Sequence, residues 1–516
     1  MTVAPPIRRR GRGRAPIDVI VVGGGPAGAV TAWALARRGL RVTVLERARF
    51  PRAKVCGDFV EPRGLRIFEA MGCLEGLHAT SPLPITNVAI FVESQARYRG
   101  AIPFYGAAHG LPPHGFIVPR HELDTLLLAA ARRAGADVRE GCAVDGVARD
   151  GRTMAVSVRG GSRRSVLRAF VIVGADGTHS AVARSAGLLR DDPRYIAVSQ
   201  RAYAEGIRAE TGEAAFFFDR DLFPGYGWMF PLSSGRANVG VGILAETRAR
   251  HDVRVPRLFE SFLERLRRAH PGCAGLRLSG KPLGGIVKTY GGAGPNYFDG
   301  GLLVGDAGSF VDPITGEGIT PAAESALIAA LVVERAVAEG RADAAFLSRF
   351  ERDFRAYFDP AMQYLDLCAA AMRNVHMREF WLAAAARGCE EAAADPEFAR
   401  VAGAGFGGLD VRPLDVLARI WQRLSASAGD TAAGLLGVRG AGAFAGSLVE
   451  SANWLRAAGE WNAGWWRSFM ADPAWHMAWA ADVSAKWLRV AAALPGSADP
   501  RLSGPAMAPG GAAGAA

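Results

Sequence analysis

Residues 18–46, DVIVVGGGPAGAVTAWALARRGLRVTVLE, constrain this chain more than any other stretch. A short β-branched run, residues 19–22, ends in Gly23, Gly25 and Gly28, a G-x-G-x-x-G that opens an apolar helix over residues 29–37. A second β-branched strand, residues 41–45, closes on Glu46. Strand, tight turn, helix, strand and acid together predict a dinucleotide cradle, whereas the glycines alone would be weak evidence. Gly23 permits the turn, Gly25 with Ala27 lets backbone approach a pyrophosphate, and Gly28 lets helix pack on strand. The helix N-terminus adds partial positive charge, and Glu46, with Arg47 beside it, faces ribose hydroxyls.

Composition narrows the class. The chain has 516 residues, 50% hydrophobic and 22% charged, which is a folded globular profile long enough for more than one core. A formal charge of +11 suits an anionic cofactor, a phosphorylated substrate or an acidic membrane surface. Nucleic acid is not expected, because the one tight basic cluster, Arg8 to Arg14, reads as a solvated disordered leader over residues 1–16. Residues 19–36 are uncharged, yet three consecutive glycines and Pro26 mark them as part of the cradle, not a membrane helix. A cytoplasmic protein follows as the expectation. Six cysteines are scattered without a C-x-x-C pair, so no zinc or iron–sulfur site is expected, and the nine histidines show no ligand spacing.

Further along, residues 85–105 alternate as strands do, residues 121–134 read as a helix, and residues 142–173 as a meander ending at Gly174-Ala175-Asp176-Gly177. Residues 195–290 read as a second, sheet-rich layer. There Gly240-Val241-Gly242 imitates a nucleotide fingerprint, but no helix follows it and it is taken as strand glycine. Gly305-Asp306 then follows an apolar strand and precedes Asp312-Pro313-Ile314-Thr315-Gly316-Glu317-Gly318-Ile319 and a long apolar helix. Beyond residue 340 only helices are expected, with a break at residues 403–408 and a Gly, Ala and Ser-rich linker over 426–446. Nine of the eleven tryptophans lie beyond residue 380. Trp454, Trp461, Trp465 and Phe469 share one helical face, and Asp472-Pro473 starts a helix carrying Trp475, Trp479, Val483 and Trp487. Such a pair either packs on the body of the protein or forms an interfacial patch, with Lys486 and Arg489 toward anionic lipid. Residues 496–516 read as a disordered tail.

Three glycine–acid signatures in this order resemble the flavoprotein group built like p-hydroxybenzoate hydroxylase. In that group the Asp176-Gly177 signature lies by the FAD pyrophosphate and Gly305-Asp306 holds the ribityl chain. No second complete nucleotide unit exists for a nicotinamide cofactor, so FAD reduced by a transient NAD(P)H, or by a ferredoxin or reductase, is the natural inference. A closer resemblance is to the geranylgeranyl reductase family. It rests on Lys54-Val55-Cys56-Gly57 beside the flavin, on Tyr226-Gly227-Trp228-Met229-Phe230-Pro231 lining a prenyl pocket, and on the flavin-proximal loop Pro313 to Ile319. Arg120 matches a family arginine suited to a phosphate or the flavin edge. These matches span residues 17–425.

The resemblance implies an α/β fold: a Rossmann-type FAD-binding domain interleaved with an antiparallel-sheet substrate domain of α+β character, plus an all-helical C-terminal region. FAD-binding parts are expected at 17–84, 116–194 and 291–339, substrate parts at 85–115 and 195–290, helices at 340–425, and a Trp-rich extension at 426–495. The implied activity is FAD-dependent saturation of double bonds in an isoprenoid chain. Tyr226, Trp228, Phe230 and Pro231 would hold the chain, and the proton would come from Cys56, Tyr226 or water. An aromatic hydroxylase or halogenase, a quinone-linked flavoprotein and a non-catalytic flavin or lipid carrier stand as alternatives, the halogenase lacking its Trp-x-Trp-x-Ile-Pro element here. Peripheral contact with the inner face of the membrane would run through the Trp-rich helices.

Overall fold

The computed structural model describes residues 17–80, 83–101, 111–208, 212–291, 294–399 and 465–492. The β-branched runs of the cradle become adjacent parallel strands, Ile17–Val22 between Val42–Glu46 and Arg163–Gly174. Gly301–Leu303 extends the sheet on one side and Asp137–Glu140 on the other. Such strands are covered on both faces, and the first strand shows it. Val19 and Val21 enter the core under helices Pro26–Arg37, Arg120–Arg133 and Ile319–Glu339, while Ile20 and Val22 face the layer made by Thr153–Gly160. The period of two thus places one strand in two cores. Trp33 and Leu35, on the first helix, are buried in the helix-side core, each contributing roughly 1.5–3 kcal/mol.

A second sheet of seven strands runs in the order Arg277–Lys288, Ile196–Glu205, Arg236–Leu244, Tyr226–Leu232, Glu213–Phe218, Asn87–Val92, Gln95–Ala101. All its pairings are antiparallel except that of Glu213–Phe218 with Asn87–Val92, the seam where two distant stretches of chain meet. Gly240 and Gly242 lie inside Arg236–Leu244, so they are strand glycines. One reading of this region is incomplete: the sheet-rich layer also holds helix Val255–Ala269, which buries Leu258, Phe259, Phe262, Leu263 and Leu266 against Phe217, Met229 and Val241. Its apolar residues follow helical spacing.

Beyond residue 340 the described elements are helices, chiefly Arg349–Met372, Arg378–Ala394 and Pro473–Ala492. Asp472 Oδ1 accepts the Trp475 amide at 3.1 Å, so the acid before the proline does cap the last helix. Trp479 Nε1 donates to the Ala370 carbonyl at 2.8 Å, Trp475 Nε1 donates to Glu246 Oε1 at 3.0 Å, and the last helix therefore docks on Arg349–Met372 and on the second sheet's connections. Lys486 corrects the expectation placed on it: it is 1% exposed and pairs with Asp366, because a lysine on the inner face of a docked helix needs a buried counter-ion. The expected break at 403–408, the linker at 426–446, Trp454, Trp461 and both terminal segments lie outside the described residues.

Candidate active site

A cavity of about 820 Å3 runs from the glycine loop of the first sheet, past the second sheet, to the C-terminal helices. At its first end the fingerprint behaves as its chemistry demands. A Cβ on Gly23, whose φ is +100°, would lie 2.3 Å from the Ala175 carbonyl oxygen, and one on Gly28 would lie 1.9 Å from that of Gly23. A Cβ on Gly25 would meet only Arg52 Nη2 at 3.5 Å, so the space above this residue is open. Helix Pro26–Arg37 begins there without a side-chain cap, leaving its first-turn N–H groups for an anion. Helix Ile319–Glu339 begins behind Gly316 and Gly318, and there the Glu317 side chain accepts the Thr320 amide at 2.7 Å. Gly25, Ala27, Gly177, Asp306, Pro313, Gly316, Gly318 and Ile319 all line the cavity. One uncapped helix end and a second, glycine-led helix start on one elongated space, with the Asp306 acid between them, fit FAD.

Other expected cofactor residues stand behind this lining. Glu46 is buried and accepts the Gly24 and Ala48 amides at 2.7 and 2.8 Å, fixing the loop, while Arg47 is exposed. The Asp176 carboxylate accepts Ser180 Oγ at 2.5 Å and the Ala181 amide at 2.7 Å, so it caps a short helix and leaves Gly177 to face the cavity. Gly305 is buried against Ala27 and Ala322. Arg120 lines the cavity, yet its Nε and Nη2 grip Asp124 at 2.8 and 2.9 Å, and Asp124 also holds Arg52. Beyond Asp124, the Arg120 charge also acts on Cys56 and on Asp306. Asp306 pairs with Lys54 at 3.2 Å; burial opposes its charge, but Lys54 and Arg120 outweigh burial and hold the carboxyl below its ordinary value.

In the middle of the cavity the loop from Lys54 to Phe59 meets the aromatic strand. Gly57 is packed under Phe230, 3.1 Å from where a Cβ would stand. Tyr226, Trp228 and Phe230 alternate onto one face as their spacing predicts, Tyr226 and Trp228 with ring centroids 5.9 Å apart. Pro231 points elsewhere on the buried strand and does not line the cavity. Tyr226 donates its hydroxyl to the Thr315 carbonyl, and burial raises its pKa, so it is a wall and not a free donor. Trp228 lies over Gly240, where a Cβ would come within 2.2 Å of the indole; that is why the strand carries glycine there. Burial raises the Cys56 thiol above its ordinary value although Arg120 opposes it, so the side chain stays a neutral S–H.

Sequence reasoning missed the polar network behind this wall. Trp228 Nε1 donates to Asn238 Oδ1 at 3.0 Å, and Asn238 Nδ2 donates to the Cys56 carbonyl and to Asp58 Oδ2, each at 2.8 Å. Tyr203 donates to the same Asp58 oxygen at 2.7 Å. Asp58 has no exposed surface, and burial raises its carboxyl despite those bonds. One asparagine thus ties the thiol loop to the aromatic strand. Glu61 and Glu317 were also missed. Both line the cavity, and burial raises both, Glu61 to about 7. Past the wall the lining becomes apolar, with Leu365, Met372, Phe380, Trp381, Gly388 and Trp487 on the C-terminal helices.

Comparison with known proteins agrees with this geometry. A family model described as an FAD binding domain matches residues 16–363. Menaquinone reductase of Mycolicibacterium smegmatis is 34% identical over 335 residues, 61% of this chain and 75% of that protein. Digeranylgeranylglycerophospholipid reductase 2 of Methanopyrus kandleri is 31% identical over 357 residues, 67% of this chain and 84% of that protein. Among solved structures, a geranylgeranyl bacteriochlorophyll reductase-like protein of Thermoplasma acidophilum superposes with a TM-score of 0.62 at 24% identity, over 69% of this chain and 87% of that one.

Proposed function

Because the chain belongs to the FAD-binding-domain oxidoreductases, in the branch of geranylgeranyl-type reductases, we propose that it saturates carbon–carbon double bonds in the isoprenoid chain of a lipid. One observation carries the substrate class: a single cavity joins the nucleotide loops to an apolar arm between the C-terminal helices. FAD held by Gly25, Gly177, Asp306 and the loop Pro313 to Ile319 would supply the two-electron, hydride-transfer chemistry. The chain's own groups do the rest. The uncapped helix end at Gly25 holds negative charge. Tyr226, Trp228 and Phe230 orient a flat alkene, the neutral Cys56 thiol packs against it, and the apolar lining excludes water. The electron donor is proposed to be NAD(P)H as a transient visitor.

The test is anaerobic reduction of the purified yellow protein with NADPH, NADH or ferredoxin, followed by geranylgeranyl diphosphate or a digeranylgeranyl glycerolipid. Flavin reoxidation without oxygen, with a product two mass units heavier per turnover, is the expected result. Reoxidation only on admitting air would replace the reductase with oxygen chemistry.

We further propose that the substrate arrives from a membrane surface. Trp487 lines the cavity and is 49% exposed, and Leu488 next to it and Met477 earlier on the same helix are exposed as well. No helix among the described residues is long and apolar enough to cross a membrane, and the contact proposed here is an interfacial one. Replacing Met477 and Leu488 together by Asp should abolish co-sedimentation with lipid vesicles while leaving flavin content intact.

A further inference from the structure

Reduction of an alkene needs a proton as well as a hydride, and five carboxyls line the cavity: Asp58, Glu61, Asp219, Asp306 and Glu317. Three are committed. Asp306 is ionised beside Lys54, Asp219 pairs with Arg265 at 2.6 Å, and Asp58 is sealed behind Tyr203 and Asn238. Glu317 is partly open to the cavity, but its Oε1 accepts the Thr320 amide at 2.7 Å. Glu61 differs from all four. It is partly open to the cavity and stands at the N-cap of helix Pro62–Ala70; its backbone carbonyl accepts the Leu65 amide, but its side-chain carboxyl makes no hydrogen bond to a described residue.

Its natural counter-ion is turned away. Arg63, two residues on, directs Nη1 to both oxygens of Glu324, at 3.0 and 3.3 Å, and Tyr357 donates to the same carboxylate at 2.9 Å. The groups around Glu61 are therefore Arg63 on its own helix, Asp312 and Glu317 on the flavin-side loop, Glu324 on helix Ile319–Glu339, Tyr357 on helix Arg349–Met372, and Tyr226 on the aromatic strand. Negative neighbours outnumber the one arginine.

We propose that Glu61 is the proton donor of the reduction, with Glu317 as the partner that shares its proton, an inference that rests on the isoprenoid-reductase assignment. One alkene carbon gains hydride from the reduced cofactor, which is oxidised. The Glu61 O–H bond breaks and a C–H bond forms at the neighbouring carbon. The resulting Glu61 carboxylate regains a proton from solvent, and the pair again shares one proton. A carboxyl near neutrality in its proton affinity, in a site that excludes water, is what general-acid catalysis at physiological pH requires.

The experiment uses the full-length, FAD-loaded protein and the variants Glu61→Gln and Glu317→Gln, with flavin absorbance reporting that each is folded and loaded. Two readouts are taken: turnover of the geranylgeranyl substrate against pH, and infrared difference spectra of protonated carboxyl bands, which need no substrate. Wild type should lose turnover about tenfold per pH unit above about 7, and lose a carboxyl band over the same range. Glu61→Gln should lack that band, turn over about 100-fold more slowly and show no alkaline limb. Glu317→Gln, by removing a negative neighbour, should move the limb to lower pH. Turnover of Glu61→Gln equal to wild type, or a limb unmoved in both variants, overturns the proposal while the reductase assignment stands. Wild type that oxidises no flavin with any prenyl substrate overturns the assignment and the donor role with it, whatever the infrared band does.

Discussion

Asp306 and Glu61 line the same cavity, one at its nucleotide end and one in its middle, and their acidities move in opposite directions. Burial opposes charge on both. The difference lies in where the nearest cation points. Lys54 reaches Asp306 at 3.2 Å, whereas Arg63 is held by Glu324 and leaves Glu61 short of positive charge. The nucleotide end is thus built to hold fixed charges and helix dipoles, and the middle to hold a mobile proton. Burial alone does not distinguish binding from proton transfer; the orientation of one neighbouring guanidinium does.

The largest effects should separate backbone needs from ligand needs at the nucleotide end. Gly28→Val drives a side chain into the Gly23 carbonyl and should cost more than about 4 kcal/mol, yielding no folded protein. Gly25→Val enters open space, so it should fold with a near-native melting curve and yet elute without flavin absorbance. A folded, flavin-loaded Gly25→Val would break the distinction.

Next comes pH. The raised Glu61 means that between about 4.5 and about 7 the folded chain binds more protons than the unfolded one, so stability falls as pH rises through that window. The depressed Asp306 works the other way: its contribution is present above its ordinary value of 3.8 and is lost as pH falls through the lowered one. Wild type should therefore lose about 2 to 3 kcal/mol between pH 4.5 and pH 7, a loss that denaturant melts of Glu61→Gln should not show. A wild-type stability that is flat over this range would remove the contrast.

The smallest effect sharpens the boundary between the two ends. Trp228→Phe deletes the donor to Asn238 and should cost about 1 kcal/mol while weakening the tether on the thiol loop. Substrate KM should rise and flavin affinity stay unchanged, as measured by steady-state kinetics and flavin titration. Equal losses of both would mean that the wall and the cradle are one unit.

Sequence legibility followed the same divide. Gly25 and Gly28 act through local geometry and Gly23 through its positive φ, so their roles are written within six positions, although Gly23 also packs on the distant Ala175 carbonyl. Tyr226, Trp228 and Phe230 share a face because strand period is two, and that too is local. Asp58 and Glu61 acquire their chemistry from Tyr203, Asn238, Glu317 and Glu324, which lie more than 140 positions away. No periodicity encodes such a meeting. Lys486 misled because a charge on an amphipathic helix usually faces water. Helix Val255–Ala269, by contrast, carried a readable period and was overshadowed by the strands around it.

The pairing of Gly301–Leu303 with Arg163–Gly174 has a consequence for biosynthesis. The fingerprint leaves the ribosome nearly 300 residues before Asp306 and helix Ile319–Glu339, which close the cradle. At 5–20 residues per second that is a delay of roughly 15 to 60 s. During that interval the nascent chain presents a nucleotide loop with no floor. Cofactor capture is therefore a late event, and yellow colour in a partly synthesised or truncated chain marks the point at which both sheets have been threaded to completion.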